Sequence, residues 1–325
     1  MALDKAKSSR QLHERFRDPS GTPGQIFVVA HRGVFLNENG IELAENSISA
    51  IERAKAIGCD MVEVDVRFTV DGTAVVMHDP TIDRTTNQTG EIAHLSCSEI
   101  SQIDLVHPAN KQPFGDKIPT LEQAFQVLGD QMMINVELKT GIDVMPEIAR
   151  IAAKAGVSQQ LTVKSNLKEA TQLQSLAETL AGITDPIDFI PVVVDSRDGI
   201  EGLERACELF EPNCVECVVD LPRGKDAGYN LLERRGVTQD GGVLFSQEAR
   251  RIAARYNTRL FINTLYVNAE APGNHQWNGG RNCEFGRFAP DSIYGFWIAH
   301  GATVIQTDNA PFVIDWLRQS GFKQW

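Results

Sequence analysis

Short apolar, β-branched runs recur along the chain and alternate with longer segments whose apolar residues return every three or four positions. This is the pattern of a parallel sheet with crossover helices. The runs QIFVVAH, DMVEVDVRF, TAVVMHD, MMINVELK, QLTVKS, DFIPVVVD, RLFINTL and ATVIQTD number eight, as many as a closed barrel needs. CVECVVD is a ninth, so one of the nine is an extra strand or a miscount. Helical patterns cover 47–57, 120–128, 145–155, 167–180, 199–209 and 246–256. Asn46 is the expected N-cap of the first, and Gly58 stops it before the next strand.

Two segments break the alternation. Thr69-Val70-Asp71-Gly72-Thr73 leaves no room for a crossover helix and carries the Asp-Gly signal of a tight turn. Residues 83–117, rich in Gly, Pro, Thr and Asn with little strand pattern, read as a small subdomain over the barrel mouth. With no internal repeat or low-complexity tract, the expectation is a single domain over 1–325 with an N-terminal arm at 1–24.

A chain of 325 residues, 42% hydrophobic and 23% charged, can build such a core without disulfides. The net charge of −12 argues against a nucleic-acid partner, so an anionic ligand must be met by local cations or a metal. No run approaches the roughly 20 apolar residues of a membrane span. The polar start, MALDKAKSSRQLHERF, lacks a secretory leader, and the expected location is cytoplasmic. Cys214 and Cys217 form a C-x-x-C without a second ligand pair and read as buried thiols.

The chemistry gathers at strand ends, where barrels keep catalytic groups. Phe27-Val28-Val29-Ala30 ends in His31-Arg32-Gly33. In Met61-Val62-Glu63-Val64-Asp65-Val66-Arg67 the valines share one face, and Glu63, Asp65 and Arg67 share the inward one. The two carboxylates are then about 7 Å apart along the strand. Asn135, Glu137 and Lys139 repeat the pattern. Three inward carboxylates must be paired or bound to metal, with Arg67 and Lys139 available as counter-charges. An all-oxygen set favours Mg²⁺ or Ca²⁺. His78 ends its own apolar run, and with His31 it fits a general acid and base at neutral pH.

The series H-R-G, E-N-S-x-x-A, V-E-V-D-V-R-F-T-x-D-G-x-x-V-V-x-H-D, I-P-T-L-E-Q, V-E-L-K and a late T-D resembles the glycerophosphodiester phosphodiesterase family, most densely from His31 to Lys139. The resemblance implies an α/β protein: a (β/α)8 TIM barrel with a small insertion, 83–117, after the third strand. It implies one divalent cation, Mg²⁺ or Ca²⁺, on Glu63, Asp65 and Glu137. His31 and His78 would be the acid–base pair, and Arg32 and Lys139 would engage the phosphate. Glu45 and Asn46 would support the ligands or cap the helix. The expected activity is hydrolysis of a small glycerophosphodiester-like substrate to an alcohol and a phosphomonoester.

Departures concern the alcohol group: a longer loop at 34–43, Ala44 where the family usually has proline, and Pro311 one residue late. The loop 267–290 offers His275, Trp277, Arg281, Arg287 and Phe288, which suit a sugar-like group. A phosphodiesterase or phosphotransferase acting on an opine-type sugar phosphodiester, and a non-catalytic sugar-phosphate-binding barrel, are therefore alternatives.

Overall fold

The computed structural model describes residues 8–37, 40–166, 170–184, 187–220, 238–265 and 277–322. Among these, the main sheet contains β1 (Phe27–Ala30), β2 (Met61–Phe68), β3 (Ala74–Val76), β4 (Met133–Leu138), β5 (Leu161–Asn166), β6 (Asp188–Val194), β7 (Cys214–Val218), β8 (Arg259–Thr264) and β9 (Ala302–Thr307). The longer helices are α1 (Ser9–Phe16), α2 (Ile48–Ala56), α3 (Leu121–Leu128), α4 (Met145–Ala155), α5 (Ala170–Ala181), α6 (Asp195–Phe210), α7 (Gln247–Arg255) and α8 (Ala310–Gln319). The strand order is β1-β9-β8-β7-β6-β5-β4-β2-β3, and β1 also pairs with β2, giving a closed (β/α)8 barrel.

The extra strand is β3. It pairs antiparallel with β2, Val66 opposite Val76 and Phe68 opposite Ala74, whereas CVECV is a parallel member of the barrel. The reason is local: Thr69 N–H donates to the Thr73 carbonyl at 3.0 Å, and a hairpin this short can join only antiparallel strands. Gly72, at φ 76°, supplies the left-handed residue of the turn.

The chain packs as two compact units. The first holds β2 to β5 and α2 to α5. Val62, Val64 and Val66 are fully buried on the outward face of β2, as the alternation requires. The cap of α2 is Ser47, not Asn46: the Ser47 Oγ accepts from the Ala50 N–H at 3.1 Å. Asn46 sits at φ 58°, and its side chain turns elsewhere. The motif Ile118-Pro119-Thr120-Leu121-Glu122-Gln123 is the start of α3, where Thr120 and Gln123 form a reciprocal capping box.

Residues 83–117 contain the short helix Cys97–Ile100 and an antiparallel hairpin, Asp104–Val106 with Pro113–Lys117. Ile92, Ile100, Ile103 and Leu105 bury against Val75 and Met77. The hairpin escaped the sequence reading because PFGDK, with only Phe114 and Asp116 half-buried, offers no apolar alternation.

The second unit holds β7 to β9 and α6 to α8. Residues 14–29 belong to it, and the buried Arg259 guanidinium donates to the carbonyls of Arg15 and Phe16 at 2.7 and 2.9 Å, ending α1. Cys214 and Cys217 are both buried in β7, and burial pushes the Cys217 thiol well up. Residues three apart on a strand face opposite ways, so this pair cannot share an ion. Of the loop expected to face the alcohol group, His275 lies outside the described residues. Arg281 is committed structurally: its guanidinium donates to the Thr238 and Ser292 carbonyls and lies 3.5 Å over the Phe296 ring.

No described helix is long and apolar enough to cross a membrane.

Candidate active site

The turn after β1 is shaped by a close approach. Arg32 and Gly33 are successive left-handed residues, φ 53° and 83°, and a Cβ on Gly33 would lie 2.7 Å from the Ala50 Cβ on α2. Only glycine fits there. The turn directs the Arg32 N–H to Glu63 Oε2 at 3.1 Å. Its guanidinium reaches Glu45 Oε1 at 2.8 Å and stands 3.2 Å from Asp65 Oδ2.

Sheet register assembles the carboxylates. Asp65 of β2 is paired with Glu137 of β4, which is paired with Lys164 of β5. One residue pair earlier, Glu63, Asn135 and Thr162 form the parallel row. Inward residues on adjacent parallel strands are thereby neighbours, and ligand oxygens of Glu63, Asp65 and Glu137 lie within 4.8 Å of one another.

Three cations answer these three anions. Lys139 Nζ is 3.1 Å from Asp65 Oδ1 and also bonds Glu137 Oε1. Lys164 Nζ, almost wholly buried, is 2.9 Å from Glu137 Oε2 and 3.5 Å from Glu63 Oε1. Arg32 is the third. Arg67 bears on Asp65 only electrostatically: its Nε donates to the His78 carbonyl at 2.8 Å and helps fix that strand end. Burial pushes the Glu63 carboxyl up to about 7, only partly offset by Lys164. Burial acts the same way on Glu137 and Asp65, but Lys164 and Lys139 hold Glu137 down at about 2, and Lys139 and Arg32 hold Asp65 below the usual range. Both His31 and His78 bear electrostatically on Asp65, and His31 also on Glu63.

Asn46 grips Asp65 twice, donating from Nδ2 to Oδ2 at 2.8 Å and accepting from the Asp65 N–H at 3.1 Å. Its side chain is therefore a brace for the carboxylate.

His78 has a partner of its own. Its Nδ1 is 2.7 Å from Asp79 Oδ1. Burial raises Asp79, but hydrogen bonds from His78 and Arg84 outweigh it and hold the carboxyl below the usual range. An ionised carboxylate only accepts, so the proton of this contact is on Nδ1, and in the neutral ring Nε2 is the unprotonated nitrogen. Arg84 then donates to Asp79 Oδ2 at 2.6 Å and to both oxygens of Glu45 at 2.6 and 2.9 Å.

The sequence reading missed Lys164, Asp79 and Arg84. The first had a signal: Thr162 and Lys164 share the inward phase of QLTVKS, and a lysine there must meet an anion.

The donor set suits a hard cation. Oxygens 2.0–2.6 Å from one ion lie at most roughly 5 Å apart, which these satisfy. Glu63 Oε1 and Asp65 Oδ1, both buried, meet Lys164 and Lys139 as ion pairs but accept no hydrogen bond.

Residues 31–177 match the model of the glycerophosphoryl diester phosphodiesterase family. The matched stretch is a little under half of the chain. It contains every site residue named above. The chain aligns with curated relatives over a limited stretch. It is 40% identical over 132 residues to a glycerophosphodiester phosphodiesterase of Caldanaerobacter subterraneus subsp. tengcongensis, covering 40% of this chain and 52% of the relative. It is 37% identical over 102 residues to human glycerophosphodiester phosphodiesterase 1, covering 31% and 29%. The chain thus matches about half the length of the first of these, and less of the second. Among solved structures, a glycerophosphodiester phosphodiesterase from Agrobacterium tumefaciens superposes with TM-score 0.60 at 16% identity, over 90% of this chain and 100% of that one. An Oleispira antarctica phosphodiesterase in complex with the product sn-glycerol-3-phosphate gives 0.58 at 18%, over 90% and 96%. At these identities the likeness speaks for the fold.

Proposed function

We propose that this chain is a phosphoric diester hydrolase that cleaves a small glycerophosphodiester to an alcohol and a phosphomonoester with the aid of one divalent cation, Mg²⁺ or Ca²⁺. The observation that carries the reading is the cluster of Glu63, Asp65 and Glu137, two of whose buried oxygens accept no hydrogen bond, beside a histidine held by a carboxylate. The names of the relatives support the substrate class.

A phosphodiester anion repels nucleophiles, so a cationic site is needed. The three carboxylates and their three cations balance. A divalent ion on Glu63, Asp65 and Glu137 supplies surplus positive charge for the phosphoryl oxygens. Arg32, fixed by Glu45, presents its guanidinium to the phosphate. Lys139, on a four-carbon stem, reaches a phosphoryl oxygen once its charge is no longer needed on Asp65. His78 takes the nucleophile's proton at Nε2 while its Nδ1–H stays on Asp79, and His31 protonates the leaving alkoxide. Asn46 keeps Asp65 in place throughout.

A panel of glycerophosphocholine, glycerophosphoethanolamine, glycerophosphoinositol and sugar phosphodiesters, followed by phosphorus NMR with Mg²⁺, Ca²⁺ or chelator, tests this. Conversion of a glycerophosphodiester to a monoester, abolished by chelator, is expected. Binding without turnover of any diester would point to the non-catalytic alternative.

A further inference from the structure

A second set of charges lies behind the first. Glu45 stands where a single arginine would neutralise it, yet it receives two: Arg32 through Oε1 and Arg84 through both oxygens. Arg84 donates in turn to Asp79, and Asp79 meets the His78 ring. The continuous order is His78, Asp79, Arg84, Glu45, Arg32, and every link is a charge-assisted contact of 2.9 Å or less.

Arg84 is the one member within residues 83–117, and its backbone is fixed from that segment. Lys111 Nζ, in the hairpin loop, donates to the carbonyls of Asp83 and Arg84 at 2.9 and 3.0 Å. A planar guanidinium addresses two carboxylates in fixed directions, which an ammonium does not. Replacing the guanidinium would let Asp79 turn, and His78 with it.

We propose that Arg84 is a positioning residue that sets His78, through Asp79, and Arg32, through Glu45, in one geometry for the reaction. The proposal rests on the hydrolase reading above. Arg84 acts through Asp79 and Glu45, which touch His78 and Arg32. It gives the 83–117 excursion a role in the chemistry: it carries the clamp.

The test uses the full chain with glycerophosphocholine. In Arg84→Ala, kcat falls on the order of 100-fold while KM moves much less, as for a misplaced reacting group. Added guanidinium ion restores a large part of it, and methylammonium, which has charge but no fork, does not. Arg84→Lys provides a second variant if the alanine form fails to fold. It is expected to unfold near the wild-type temperature yet keep a depressed kcat. Wild-type kcat in either variant, or equal rescue by methylammonium, overturns the proposal. Loss of turnover in His31→Ala and His78→Ala beside wild-type Arg84 variants would sink the clamp and leave the hydrolase reading standing. Wild-type turnover in both histidine variants, or none by the wild type, would sink the reading itself.

Discussion

Lys164 Nζ lies 2.9 Å from Glu137 Oε2 and 3.5 Å from Glu63 Oε1, so a buried ammonium group is built into the carboxylate cluster. Removing one partner of a buried ion pair leaves the other charge uncompensated, at a cost of about 3–5 kcal/mol. Lys164→Met is therefore expected to unfold at clearly lower denaturant in chelator. Mg²⁺ or Ca²⁺ should recover much of the loss and bind the variant more tightly than wild type. Equal stability of the two proteins in chelator would contradict this.

Glu63 gives a pH signature. Its carboxyl is pushed up by burial from 4.5 to about 7, so its contribution to stability in the cation-free protein is present below pH 4.5 and is lost as pH rises through 7. A cation needs the ionised form. Divalent affinity should rise between pH 4.5 and 7, with a proton released per ion bound below 7. Calorimetry in buffers of different ionisation enthalpy measures that proton. A pH-independent affinity over this range would contradict the prediction.

Glu45 behaves in the opposite sense. Burial raises it, but Arg32 and Arg84 outweigh burial and hold it at about 2. Its stabilisation is present above pH 4.5 and disappears as pH falls through 2. Glu45→Gln should therefore be less stable than wild type at neutral pH, with the gap closing between pH 4.5 and 2. Urea unfolding at several pH values reads the gap directly.

The outward valines of Met61–Phe68 and the inward Glu63 and Asp65 were legible because side-chain alternation on a strand depends on local sequence alone. The antiparallel β3 was half legible. Asp71-Gly72 announced a hairpin, and a hairpin fixes the direction of the returning strand, yet TAVVMHD counted as a barrel strand by its composition. Asn46 read equally well as a cap because asparagine suits both roles, and only the position of Asp65 across the turn distinguishes them. Arg84 was not legible at all. Its partner Glu45 is 39 residues away, and no local pattern encodes such a contact.

Gly33 tests whether the strand-end turn is held by packing. Its φ of 83° and the 2.7 Å approach of Ala50 leave no place for a methyl group. Gly33→Ala should cost about 1–3 kcal/mol through overpacking, and more with the backbone strain. It should also weaken phosphate binding, since Arg32 precedes it. A thermal unfolding midpoint equal to wild type would show that α2 yields easily.

Whether a cation-assisted histidine pair hydrolyses a phosphodiester is decided by phosphorus NMR of glycerophosphocholine with wild type, His31→Ala and His78→Ala, each with and without chelator. Wild type with Mg²⁺ or Ca²⁺ should give a glycerol phosphomonoester signal that chelator abolishes, and either variant should turn over roughly 10²–10⁴-fold more slowly. Undiminished turnover in both variants, or turnover indifferent to chelator, would contradict this.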